Sequence, residues 1–188
     1  VLGRDNSKEV GRMVRSIVIP HDTEQRPALV ELADLGAFQE AVDGWLDLIE
    51  IPSIGVTIYM NEAERRTHGP LNTRATAFWW LHSAHPTAHP VILGDVVLTG
   101  VGDREREGDI PEVVVEQIFH RDNFVVQVRP YDRSSWCDSF ARFDSVFDAA
   151  LWCLLFEATM RPGARFRVRS EPPIHIAELP LFGGDRSW

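Results

Sequence analysis

Trp45–Asn61, WLDLIEIPSIGVTIYMN, decides how this chain folds. Val56, Ile58 and Met60 alternate with Thr57, Tyr59 and Asn61, the period-two pattern of a strand with one face buried. Ahead of it Trp45, Leu46, Leu48, Ile49 and Ile51 form a denser apolar run, which predicts a strand covered on both sides. Pro52 and Gly55 would break any helix crossing the middle. The stretch therefore reads as two strands joined by a turn.

Outward from this pair, Leu35, Phe38 and Val42 fall at helical spacing behind Asp34, a candidate N-cap, and Gly44 supplies the stop. Val14–Pro20 and Ala28–Leu32 read as strands before that helix. Downstream, Glu62–Leu71 is polar, and its Gly69-Pro70 pair predicts a loop without regular structure. Asn72 or Thr73 caps a helix bearing Ala75, Phe78, Trp79 and His82 on one face, and Pro90–Gly100 is a strand element interrupted at Gly94-Asp95. Asp109-Ile110-Pro111-Glu112 reads as a helix start with Asp109 as the capping carboxylate. Phe124–Arg129, Trp136–Phe143 and Arg165–Arg169 are strands. A helix from Ser145 to about Met160 is apolar nearly all round and is expected to be buried on most sides.

These elements predict an α+β protein of two small units, each a mainly antiparallel sheet backed by helices. Residues 1–12 are expected to lie outside the fold, 13–102 to form the first unit, 109–170 the second, and 171–188 an extended tail. The length of 188 residues suits one large domain or two small ones. No apolar run approaches the roughly 18 residues of a membrane span, and the N-terminus is polar, so a cytoplasmic protein is expected. Cys137 and Cys153 lack close spacing and read as two buried thiols.

The net charge is −9, from 28 acidic and 19 basic residues. Between Asp22 and Glu64 ten acidic residues face Arg26 alone. That sign argues against nucleic acid as a partner and suits a basic protein or a solvated surface.

An opening strand ending near Pro20 is followed by Phe38-Gln39, Val42, Gly44 and Leu46–Ile51. Val56–Met60 then ends in Asn61-Glu62, and Leu71-Asn72, Arg74-Ala75-Thr76, Gly94-Asp95-Val96-Val97 and Gly100 come after it. In order and spacing, Phe38–Gly100 resembles a domain-of-unknown-function family carried mainly by phages and plasmids of high-GC bacteria. Ala63 departs from the family's usual glycine after the Asn-Glu pair. The resemblance implies a setting, an accessory protein of a mobile element, and no mechanism.

Several polar residues stand at element ends, where side chains converge on ligands. Asn61, Glu62, Asn72, Arg74 and Asp95 form one candidate binding set, with local backbone capping as their structural role. Arg165, Arg167 and Arg169 share one strand face and offer an anion or partner contact, unless they pair with the chain's own carboxylates. His82, His85 and His89 have ligand-like spacing but no fourth ligand nearby, so no metal is assigned. Asp103–Ile110 echoes a calcium loop, with Val114 where a bidentate glutamate belongs. No nucleophile motif and no glycine-rich phosphate loop appears, so no catalytic residue and no cofactor is assigned. Trp79, Trp80 and Trp152 read as core or interface aromatics.

The function expected is that of a non-enzymatic accessory protein of a phage or plasmid, binding a small molecule or a host protein. Two alternatives are an acidic decoy that occupies a host defence enzyme's DNA-binding surface and an enzyme with its site between the two units.

Overall fold

A computed structural model describes residues 12–83, 91–102, 107–119, 123–131, 134–157 and 164–171. Most of the expected N-terminal extension and tail, and the linker residues 103–106, lie outside that set.

The Trp45–Asn61 stretch forms the expected hairpin. Strand β3 (Leu46–Ile51) pairs antiparallel with β4 (Val56–Asn61) in the register Ile51 opposite Val56. The turn between them closes through Gly55 N–H to Pro52 C=O at 3.3 Å, with Gly55 at φ +65°, a conformation that favours glycine. The hairpin sits at one edge of a five-stranded antiparallel sheet ordered β2-β1-β5-β4-β3, where β1 is Val14–Ile19, β2 is Ala28–Leu32 and β5 is Val96–Gly100. Strand β5, last in sequence, is central. It pairs with β1 on one side and β4 on the other.

That topology reverses the expected burial of the two hairpin strands. Strand β4 is inside the sheet and covered on both faces, all six of its residues being buried. Strand β3 is the edge, and Trp45 and Leu48 are 74% and 49% exposed. An apolar edge strand can resemble a central one in sequence, because only the neighbouring strand decides which it is.

Helix α1 (Leu35–Ala41) covers one face, packing Phe38 and Val42 against Tyr59 and Val97. Asp34 caps it, accepting from Ala37 N–H at 3.0 Å. The left-handed residue after the helix is Asp43 (φ 54°), and Gly44 is needed for space: a Cβ there would lie 2.4 Å from the Asn61 side chain. The loop after β4 holds a short helix α2 (Glu64–Thr67), where no regular structure was expected. Glu64 and Thr67 continue the turn because the chain reverses only at His68, in the left-handed conformation.

The opposite sheet face carries Ile17, Ile19, Ile58, Val96 and Leu98, packed with Phe78 of α3 (Thr73–His82) and Val114 of α4 (Glu112–Phe119). Asp109 does not cap α4. Its carboxylate accepts from Arg15 N–H at 3.0 Å and pairs with Arg12 at 2.6 Å, fastening this segment to β1.

The second sheet is antiparallel in the order β7-β6-β8, from β6 (Asn123–Arg129), β7 (Cys137–Phe143) and β8 (Arg165–Glu171). Helix α5 (Val146–Glu157) lies on it and against α3. Ser145 accepts from Phe147 N–H at the start of α5. Leu151, Leu155 and Phe156 are exposed, so α5 is buried on one side rather than on most. Cys153 is buried, whereas Cys137 is exposed on a sheet-edge strand, against the expectation of two buried thiols.

The architecture is therefore α+β with two antiparallel sheets, and one hydrophobic cluster runs through both. It includes Ile58 and Leu98 of the first sheet, Phe78 between, and Phe124 and Val126 of the second.

Candidate functional site

The asparagines of the first candidate set are engaged with backbone. Asn72 is fully buried. Its amide donates to Ile19 C=O and Gly94 C=O at 2.9 Å each, and its Oδ1 accepts from Ala75 N–H at 2.9 Å, capping α3. One side chain thereby ties β1, the approach to β5 and a helix start. Arg74 donates to the carbonyls of Pro20, Asp22 and Gln25 at 2.7–2.8 Å, holding the turn after β1. Burial lowers its pKa, opposed by the nearby Asp22 and Asp95. Asp95 accepts from His21 N–H at 2.8 Å and meets His21 Nδ1 at 2.6 Å. Asn72, Arg74 and Asp95 thus gather around the Ile19–His21 exit of β1.

Asn61 makes its hydrogen bonds to other segments, donating to Asp43 C=O at 2.7 Å and accepting from Ala63 N–H at 2.9 Å. Glu62 pairs with Arg66 at 2.8 Å on the surface.

On the second sheet Arg165, Arg167 and Arg169 do alternate with Phe166 and Val168, which pack inward. Their environments differ. Arg169 pairs with Glu171 at 2.5 Å and Asp138 at 3.5 Å, as expected of a cation among excess carboxylates. Arg167 donates from Nε to Gln127 at 2.7 Å, and Gln127 in turn donates to Asp138. Its guanidinium also stands 4.4 Å from the ring centre of Trp136, which Arg129 approaches to 5.1 Å.

Arg129 was not among the residues expected at a site. It lies directly opposite Arg165 in the β6–β8 register. Among the described residues no carboxylate pairs with either one. Cross-strand partners have Cβ atoms about 5 Å apart, so two like charges meet there. The two arginines open onto a pocket of about 300 Å³, where the end of α3 and the middle of α5 meet one end of the second sheet. Arg129, Arg165 and Arg167 supply its cationic side, and Trp80, Trp136 and Phe166 its aromatic side. Among the described residues that line it, none is acidic. The alternation in Phe124–Arg129 places Gln127 and Arg129 on a common polar face. That was the one legible hint of Arg129, since its pairing with Arg165 is a long-range fact.

His82 lies at the end of α3 with its Nε2 buried and unpartnered, edge-on to Phe78 at 4.7 Å. Burial pulls its pKa down to about 4. His85 and His89 lie outside the described residues, as does half of the Asp103–Ile110 echo. Among the described residues no cluster of three His, Cys, Asp or Glu side chains is placed to hold a metal. No helix among them is long and apolar enough to cross a membrane.

Compared with known proteins, the chain matches the family model described as "Domain of unknown function (DUF3846)" over residues 14–122. The match runs from β1 through α4, beyond the Phe38–Gly100 run on either side, and covers more than half of the chain. The chain belongs to that family. No curated protein and no solved structure matches it.

Proposed function

We propose that this DUF3846 member is a non-enzymatic accessory protein, of a phage or plasmid and acting in the cytoplasm, that binds a small anionic molecule. The site is the pocket between α3, α5 and the second sheet. One observation carries the reading: Arg129 and Arg165 face each other across β6 and β8 with no carboxylate partner among the described residues, in a chain whose net charge is −9. Like charges directly opposite cost stability, and a bridging anion turns that cost into affinity.

A host protein as the partner has one supporting observation, the exposed Trp45 and Leu48 on edge strand β3. The acidic-decoy reading has less support. Asp34 is spent capping α1, Glu62 is paired with Arg66, and Leu35, 65% exposed, interrupts the acidic surface.

Native mass spectrometry of the wild type and an Arg129→Gln/Arg165→Gln variant, purified in parallel from cells, tests the proposal. The expected result is a small non-covalent adduct on the wild type alone. A variant that keeps the adduct, or a wild type that carries only a protein partner, would overturn it.

A further inference from the structure

We infer that the pocket's ligand is a phosphate monoester carried on a planar ring, a nucleoside monophosphate being the plainest example. This rests on the anion-binding reading above and adds the chemical class. Three features of the pocket lead to it.

The first is charge. Arg129 and Arg165 have no carboxylate partner among the described residues, and Arg167 is held beside them by Gln127 and Trp136. A carboxylate brings one negative charge to three guanidinium groups. A phosphate monoester brings close to two at neutral pH, with three acceptor oxygens for their forked donors. It can bridge Arg129 and Arg165 with an oxygen left for Arg167, where a carboxylate has two oxygens and one charge for the three.

The second is the wall opposite the charge. Trp80 and Trp136 line the same pocket with Phe166, and neither indole is fully buried. Arg167 and Arg129 already engage the Trp136 ring, which fixes that indole as a rigid surface beside the cationic centre. Planar rings stack on such aromatic and guanidinium faces irrespective of their substituents, so the wall selects flatness and not one base.

The third is size. About 300 Å³ lies at the small end of ligand clefts, which run from roughly 300 to 1,000 Å³. That is room for one ring system and one charged group. Arg169 marks the limit of the site, because Asp138 and Glu171 neutralise it.

Isothermal titration of the full chain with adenosine monophosphate, adenosine, inorganic phosphate and benzoate tests the inference. Adenosine monophosphate should bind, with adenosine and phosphate each weaker by about tenfold or more. Arg165→Gln should weaken the monophosphate by at least about tenfold. Trp136→Leu should weaken the monophosphate and leave inorganic phosphate unchanged, with Trp136→Phe standing in if the leucine variant does not fold. Benzoate binding as tightly as the monophosphate would overturn the phosphate class while leaving an anion site in place. Monophosphate binding that survives Arg165→Gln would place it elsewhere and overturn the assignment. Binding of none of the four would do the same, and the mass-spectrometric adduct would then decide the broader proposal on its own.

Discussion

His82 shows what one buried side chain does to stability. Its Nε2 has no partner and burial disfavours the imidazolium, so the folded pKa of about 4 lies below the ordinary 6.5. The unfolded chain therefore takes up the proton first. This contribution is complete above about pH 6.5 and is lost as the pH falls toward 4, by up to about 1.4 kcal/mol per pH unit. Urea denaturation of wild type and His82→Phe between pH 7.5 and 4.5 should show the wild type losing stability faster, with the difference opening below pH 6.5. Parallel curves would contradict the burial argument. In sequence His82 stood with His85 and His89 as a spacing pattern. The spacing of the three histidines carries no information about desolvation, which Phe78, one helical turn before His82, helps to impose. Among the arginines the limit was similar: alternation put 165, 167 and 169 on one face, but not which of them would find a carboxylate.

At the scale of elements, Asn72 joins three pieces of the first sheet layer through its two bonds to β1 and Gly94 and its cap on α3. Asn72→Ala removes the cap and leaves two buried carbonyls short of a donor. The expected loss is about 3 kcal/mol, read as a lower urea midpoint at unchanged slope. Gly100 ends β5 where the chain crosses itself, and a Cβ there would stand 2.2 Å from Asp109 C=O. Gly100→Ala must displace backbone and should cost about 2 kcal/mol or more, whereas Gly55→Ala, with open space around it, pays only for its positive φ, roughly 1 kcal/mol. The hairpin itself was legible, because Pro52, Gly55 and the alternation after them are local signals. Which of its strands would be central was not, because that depends on β5, some 40 residues further on. Asp109 was misread for a related reason. A carboxylate two residues ahead of a helix proline looks like a cap until the distant Arg15 N–H competes for it.

For the whole molecule, the chain outside the family match is not an independent appendage. Phe78 of α3 meets Phe147 of α5 at 6.2 Å, and the same apolar cluster reaches Phe124 and Val126 in the second sheet. Phe78→Ala should cost about 3–5 kcal/mol and lower amide protection in β5 and β6 together. Protection lost in the first sheet alone would mean the sheets unfold separately. This shared core also builds the pocket, since α3, α5 and the β6 and β8 ends each contribute to its lining. The central claim is that Arg129 and Arg165, with no carboxylate partner among the described residues, form a pair that binds an anion. Thermal unfolding of wild type and Arg165→Gln, in chloride and then in phosphate at equal ionic strength, tests it most directly. The account predicts that in chloride the variant is at least as stable as the wild type, and that phosphate raises the midpoint of the wild type more than that of the variant. A variant destabilised in chloride, or an equal rise for both proteins in phosphate, would contradict it.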